Sequence, residues 1–576
     1  MILHTKVCGI FNTMAQIHSL SIKHYRGIED FYQVFNTRTV VLIGRGDSGK
    51  STILHAIQAV LQPRWNYGFT DVDFTNCDTT KAIEIEVEVT GVPAGLMKDD
   101  KYGMYLGVMQ PDGTVSYDIE NDDERNAGEP VLCVRLEVRD DLEPKWYVVS
   151  KRPDQSNVEI SGADRALFNM YMVSDYVDNH FSYNRLSPLH RLLKQSLGST
   201  GEIDRLLASV VRNAHSKAVE DADLSMFETS LHEVVNKAKE LGLDVTDIKA
   251  LLEYKENAFT ESNLSLHMGN VPYRLNGKGS KRLLSIAIQQ AMIEEGGIVL
   301  IDEIEQGLEP DRIRHITREF TNRQSGQVFY TTHSRDAIIE PDVSCIYVMR
   351  KGERGLRQLD VELQGVVRAQ PEAFFAKKVL FCEGATEVGI VRSFDMEECN
   401  KGNSPCALNG VVVIDAGGHN KFFDYAMKMS DAGFECMVFC DDDNIDVYAM
   451  RDKVLARGDI QVVMCDNGNA IEQQLFMDLP VEKVIEIVQY VVDNMPDKSV
   501  LPETRLSCVS EFATISPEEQ QRLRELWSAR AKSKSAWYKN IENGELLGRV
   551  WCQALPHMEG KTLKSEYDAI SSWMKG

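Results

Sequence analysis

Acidic residues stand where apolar runs of this chain stop. KVLFCEGATE (378–387) delivers Glu383 and Glu387 around a glycine, and CMVFCDDDN (436–444) delivers Asp441 and Asp443. IQVVMCDNGNAIEQQLF (460–476) delivers Asp466 and, further on, Glu472. Side chains alternate along an extended strand, so Asp441 and Asp443 leave it on the same side and can share one divalent ion, with Glu383 completing the site from a neighbouring strand. Oxygen ligands without a His or Cys cluster favour Mg²⁺ or Mn²⁺ over zinc. Such a cage beside a phosphodiester permits metal-assisted hydrolysis, one ion acidifying a water and another stabilising the leaving oxygen. Any one of these acids alone reads as a loop carboxylate or helix cap; E-G-x-x-E and D-x-D together, each at the end of an apolar run, point to metal.

A second chemistry is written earlier. RTVVLIG (38–44) runs into GRGDSGKST, a complete GxxxxGK[ST] loop placed before the amphipathic stretch TILHAIQAVLQ. Gly44, Asp47, Ser48, Gly49, Lys50, Ser51 and Thr52 form the expected ATP site. Its glycines let backbone amides close on phosphate oxygens, Lys50 reaches the β- and γ-phosphates, and Ser51 ligates Mg²⁺. GGIVLIDEIEQGLEPD (296–311) ends an apolar strand at Asp302, placed to hold Mg²⁺ through water, and at Glu303, placed to polarise the attacking water. QVFYTTHS ends at His333, where a γ-phosphate sensor would sit.

The elements that must position these residues follow from periodicity. Four short apolar runs separated by helical stretches in the C-terminal half describe a parallel sheet, whose strand-end acids converge on one edge. In the N-terminal half, AIEIEVEVTG, PVLCVRLEVRDD and KWYVVSKR alternate as antiparallel strands around an acidic solvated loop. LHRLLKQSL, IDRLLASVVRNAHSKAV and MFETSLHEVVNKAKELG carry helical spacing without sustained heptads, a compact helical insertion suited to a dimer arm. The expected divisions are an ATPase first part at 1–162, a helical insertion at 163–262, an ATPase second part at 263–364, and a linker at 365–376. A metal-site core at 377–480 and a helical part at 481–576 complete the chain. Residues 1–13 read as an extension ahead of a second plausible start at Met14.

Composition narrows the partners. The 576 residues carry a net charge of −24, so a nucleic acid must be held by local basic groups or metal ions. QRLRELWSARAKSKSAWYK (521–539) supplies basic residues interleaved with Trp527, Trp537 and Tyr538; it reads equally as a backbone-tracking groove and as a solvated amphipathic helix. Twelve cysteines without CxxC pairing suit reduced thiols, and no apolar run or signal core indicates a membrane, so a cytoplasmic protein is expected.

The phosphate loop, the DE strand end, His333 and RLNGKGSKRLLSIAIQQAM between them resemble the ABC-type ATPase head of the structural-maintenance and DNA-repair class. NGKGS stands in the place of that family's LSGGQ signature, with Asn276 for the usual serine. The resemblance implies that Asn276, Gly277 and Ser280 act on the nucleotide of an opposite subunit, hence a head-to-head dimer of this chain or a tetramer built from it; whether Asn276 or Ser280 meets the γ-phosphate stays open. The acid set resembles the Toprim domain of topoisomerases, primases and certain nucleases, and joined to an ABC head it resembles the overcoming-lysogenization-defect nucleases over nearly the whole chain.

That resemblance implies an α/β fold: an N-terminal P-loop ATPase with a helical dimerisation insertion, then a C-terminal Toprim sheet with a helical extension. It implies catalytic and metal roles for Glu383, Glu387, Asp441, Asp443 and Glu472, the last matching an I-E-[NQ] context. It further implies a catalytic lysine, assigned to Lys539 with Lys532, Lys534 and Lys561 as neighbouring alternatives. Asp415 and Gly417–Gly418 match its glycine-rich second strand, shaping the site rather than ligating. The expected activity is ATP-regulated, Mg²⁺- or Mn²⁺-dependent cleavage of DNA in anti-phage defence. The expected operon partner is a helicase-like protein or a retron reverse transcriptase with its DNA. A nucleotide-switched clamp without cleavage and a primase-like enzyme are the competing functions.

Overall fold

The computed structural model describes residues 15–64, 67–118, 128–153, 155–173, 178–182, 187–197, 228–243, 248–252, 264–293, 297–322, 325–417, 421–443, 448–466, 468–495, 497, 500–502, 504–532 and 537–575. The chain divides into two compact units, Met1–Gln358 and Leu359–Gly576.

In the first unit, TVVLI forms strand β1 (Thr39–Ile43), buried at every residue as a central parallel strand requires. It lies in the order β2 (Met170–Val173), β3 (Ile298–Ile301), β4 (Gln327–Thr331), β1 and β5 (Ile346–Val348), all parallel, with Arg357–Gln358 antiparallel at the edge. Helix α1 (Lys50–Leu61) leaves β1 through the phosphate loop and buries Ile53, Leu54, Ile57 and Val60. Each such side chain contributes roughly 1.5–3 kcal/mol when removed from water. The alternating stretches form the expected antiparallel layer, in which Ile83–Thr90 pairs with both Gln16–Tyr25 and Pro130–Val138.

Two readings are corrected. Residues 163–262 are not helical throughout: Met170–Val173 is a strand of the ATPase sheet and Ile248–Leu252 pairs with Leu264–Met268. MYMV is short and β-prone, and its register beside β3 buries three of its four residues, a tertiary gain that local pattern does not reveal. IDRLLASVVRNAHSKAV, placed in that insertion, falls outside the described residues. The stretch 365–376 is no linker: Gln364–Ala369 and Pro371–Phe375 are helical turns of the second unit, because Val366, Val367 and Phe374 are buried there and Phe374 meets Phe434 edge-on at 6.0 Å.

The second unit is built on four parallel strands, β6 (Lys378–Cys382), β7 (Val411–Asp415), β8 (Glu435–Cys440) and β9 (Ile460–Met464), in the order β7-β6-β8-β9. The chain leaves β6 toward β7 but later returns to the other side as β8. The crevice of an open α/β sheet therefore opens between the C-terminal ends of β6 and β8. Helix α2 (Lys278–Ile293) belongs to the first unit; in the second, α3 (Ala385–Asn400), α4 (Ile471–Asp478), α5 (Pro517–Lys532), α6 (Ile541–Ala554) and α7 (Thr562–Lys575) pack around the sheet. Their shared core includes Phe394, Leu475, Trp527, Trp537, Tyr538 and Trp551. Among the described residues no helix is long and apolar enough to cross a membrane.

Candidate active site

The crevice at β6 and β8 collects the strand-end acids. Glu383 follows β6 and its Oε2 accepts the Asp441 amide at 3.0 Å, tying the ends of the two strands together. Asp441 Oδ1 accepts the amide of Ile471 at 2.7 Å, which docks the N-terminus of α4. Glu387, on the first turn of α3, turns back so that Oε2 accepts the Gly384 amide at 2.9 Å, fixing the E-G-x-x-E turn. Glu472, on the first turn of α4, is 1% exposed; Lys539 Nζ stands 2.8 Å from its Oε1, while Oε2 has no hydrogen-bond partner among the described residues. Glu383, Glu387, Asp415, Asp441 and Lys539 line one cavity of about 310 Å³.

The electrostatics follow from crowding. Burial, and then the Glu472 charge, raise Glu387 to about 7. Burial, then Glu387 and Glu472, hold Asp441 well above its ordinary value. Burial also lifts Glu383, with Asp443 adding to it and the Asp441 amide pulling the other way. Burial would lower Lys539, but Glu472, by its charge and its hydrogen bond, together with Asp441 and Glu387 outweighs it and keeps the ammonium firmly protonated.

The D-x-D acids separate in the structure. Asp443 Oδ2 pairs with Lys532 Nζ at 2.7 Å, and Lys532 also donates to Gln473 Oε1 at 3.2 Å. Asp442 is drawn aside by Arg451 at 3.2 Å and by the Gly468 amide at 2.9 Å. Among the described residues no three of the acids converge tightly enough to enclose an ion as they stand. The donor set nonetheless fits a hard cation: buried carboxylates raised by one another's charge and a buried oxygen with no donor are what a divalent ion would relieve. Asp415 Oδ1 accepts the Gly417 amide at 2.7 Å and shapes the turn after β7; Gly418 lies outside the described residues.

Lys539 is brought to α3 by a close helix crossing. Thr386 Oγ1 donates to the carbonyl of Tyr538 at 3.1 Å, and a Cβ on Gly544 would stand 2.3 Å from the Thr386 carbonyl. Of its alternatives, Lys532 reaches Asp443, Lys561 is exposed, and Lys534 lies outside the described residues. The basic and aromatic segment does not form a stacking platform: Trp527, Trp537 and Tyr538 are core residues, and Tyr538 Oη donates to the Ile487 carbonyl at 2.9 Å. Arg524 caps the C-terminal end of α4 through the carbonyls of Phe476 and Leu479, and Arg522 pairs with Glu519 one turn away.

The first unit holds the residues expected to bind nucleotide. Gly44 has φ 150° and a Cβ there would lie 2.5 Å from the Met349 carbonyl; Gly49, at φ 105°, turns the loop into α1. Asp47 also occupies the left-handed region, at φ 57°. Lys50 Nζ folds into the loop, donating to the carbonyls of Gly44 and Arg45 at 3.0 Å and to Ser48 Oγ at 3.4 Å. Burial lowers it, opposed chiefly by Asp302. Ser51 Oγ donates to Asp302 Oδ1 at 2.9 Å, the two residues that would hold an Mg²⁺ ion, and Thr52 lies on the first turn of α1. Glu303 follows Asp302 at φ 48°.

His333 follows β4; its amide donates to Glu305 Oε1 at 2.6 Å, while Thr332 Oγ1 donates to Glu305 Oε2 at 2.7 Å. Burial, then Lys50, lower the His333 pKa. Glu305 was not singled out from the sequence, although it shares the DEIE run. Asn276 and Gly277 form the turn ahead of α2, and the Ser280 carbonyl accepts Tyr273 Oη at 3.4 Å.

Comparison with known proteins gives two family matches. Residues 40–340 match the family described as "AAA domain, putative AbiEii toxin, Type IV TA system", and residues 374–443 match "Overcoming lysogenization defect protein-like, TOPRIM domain". No curated protein matches the chain. Among solved structures, an Smc head bound to the C-winged helix domain of ScpA is 15% identical, covering 60% of this chain and 98% of that one, with a TM-score of 0.36. The recombination mediator RecF with ATP is 11% identical over 61% and 100%, TM-score 0.37, and the SMC head domain from Thermotoga maritima 15% identical over 60% and 100%, TM-score 0.29.

Proposed function

Because the chain belongs to the AAA-domain family matched over residues 40–340 and joins to it a Toprim domain of the overcoming-lysogenization-defect type, we propose that it is an ATP-regulated, divalent-metal-dependent DNA endonuclease. The observation that carries this is the convergence of Glu383, Glu387, Asp441 and Lys539 on one cavity at the switch point of the Toprim sheet.

Glu383, Asp441 and Asp443 are the residues that would hold Mg²⁺ or Mn²⁺, and such an ion supplies an activated water and charge neutralisation at a phosphodiester. Glu387 fixes the turn that aims Glu383. Glu472 holds Lys539, whose half-exposed ammonium meets the charge developing on the phosphate oxygens. In the ATPase unit, Gly44 to Thr52 cradle ATP, Ser51 and Asp302 hold Mg²⁺, Glu303 polarises water and His333 senses the γ-phosphate. Asn276, Gly277 and Ser280 reach the nucleotide of a second copy, making a head-to-head dimer whose nucleotide state gates cutting. Cytoplasmic anti-phage defence with an operon-encoded partner, a helicase-like protein or a retron reverse transcriptase with its DNA, is the setting this reading favours.

The test is incubation of purified protein with supercoiled plasmid and phage DNA under varied Mg²⁺, Mn²⁺ and ATP. Cleavage is expected to require the divalent ion, to respond to Lys50→Ala, and to vanish in Glu383→Ala and Asp441→Ala. Equal cutting by both acid variants would refute the reading.

A further inference from the structure

Arg282, on α2 just beyond Ser280, is 3% exposed. Its guanidinium donates to the carbonyl of Asp302, to that of Glu303 at 2.8 Å, and to Gln306 Oε1 at 2.9 Å. These are charge-assisted bonds from a planar fork, stronger and more directional than neutral ones. Both carbonyls belong to the acids that end β3.

Glu303 needs such support. Its left-handed backbone, φ 48°, is strained for a residue with a side chain. The strain is held from both sides: the Glu303 amide donates to Thr331 Oγ1 at 2.8 Å and its carbonyl is gripped by Arg282. One turn back along α2, Gly279 abuts the same loop, since a Cβ there would stand 2.3 Å from the Gly307 carbonyl. The first turn of α2 and the loop 302–307 therefore have no room to slide past one another.

We infer that Arg282 is a positioning residue that couples the seating of the NGKGS turn to the aim of the Glu303 carboxylate. Displacement of the turn pulls the guanidinium, and with it the backbone from which Glu303 projects. Nucleotide binding, which depends on Gly44 to Thr52, is left alone. The inference rests on the proposed reading that this head hydrolyses ATP with Glu303 polarising the water.

The test measures ATP turnover and the affinity for a fluorescent ATP analogue in the full chain, for Arg282→Lys, Arg282→Gln and Gly279→Ala, with Glu303→Gln as reference. Lysine keeps the charge but cannot span two carbonyls and Gln306, so it is not expected to rescue. All three are expected to bind the analogue within about threefold of wild type while kcat falls about tenfold or more, with KM little moved. Turnover within about twofold of wild type in Arg282→Gln overturns the inference. So does a parallel loss of analogue binding, the outcome of a residue that only holds the fold. A wild-type protein that does not hydrolyse ATP, matched by Glu303→Gln, refutes the underlying reading and takes the inference with it.

Discussion

Replacing Lys539 with methionine separates what holds the Toprim site from what it does. Glu472 is buried, its Oε2 has no donor among the described residues, and the Lys539 ammonium 2.8 Å away is the cation opposite it. Stranding a carboxylate in such surroundings costs about 3–5 kcal/mol when the lost partner is fully buried. The Lys539 side chain is 45% exposed, so its attraction is partly screened and about 2 kcal/mol is the better expectation. Glu472→Gln should cost about 1 kcal/mol or less, because Lys539 can turn to water. The double variant should recover about 1–2 kcal/mol relative to the sum of the single changes. Four of the six tryptophans, Trp527, Trp537, Trp551 and Trp573, lie in the second unit, so urea unfolding followed by tryptophan fluorescence reports this transition. DNA cleavage should be absent in Lys539→Met and should stay absent in the double variant despite its recovered stability. Additive stabilities, or cutting restored along with the fold, would refute both the pairing and the catalytic role.

Two further outcomes follow from the second unit. Glu398, 4% exposed, would be raised by burial, but Lys575, Tyr567 and Lys401 donate to it and hold it at about 2. Its folded pKa is therefore below its unfolded one, so its contribution is complete above about pH 4.5 and is lost as pH falls toward 2. Discounted for the half-exposed lysines, it amounts to about 2 kcal/mol, and Glu398→Gln should show that deficit at pH 7 and only about a quarter of it near pH 2.5 in urea titrations. Gly544→Ala places a methyl against the Thr386 carbonyl and forces α6 off α3. Cleavage should fall about tenfold or more while ATP turnover of the first unit is unchanged, and normal cleavage would contradict the close crossing.

The acid layer was legible because Glu383 and Asp441 each end a short apolar run, and a run of that length bounded by turn residues suits a buried strand. Lys539 was reached through resemblance, since a lysine in a loop carries no periodic mark. The aromatics beside it misled: Trp527 and Tyr538 at helical spacing among arginines suit a groove and a core equally, and only the packing of α5 and α6 on the sheet decides for the core. Alternation would put Asp441 and Asp443 on one strand face, yet β8 ends at Cys440 and Lys532 claims Asp443, and no local pattern reports a partner that distant in sequence. Arg282 was invisible for the same reason. The signature turn could be read, but the carbonyls it grips belong to another strand.

The crossing of α6 over α3 also has a consequence for timing. Lys539 follows Glu472 by about 70 residues, which at roughly 5–20 residues per second leaves about 4–14 seconds of synthesis between them. Throughout that interval every acid of the sheet has been made and its cation has not. Gly544 and α6 must then emerge before the crossing can close. A chain still growing therefore cannot hold the assembled cavity of acids and lysine.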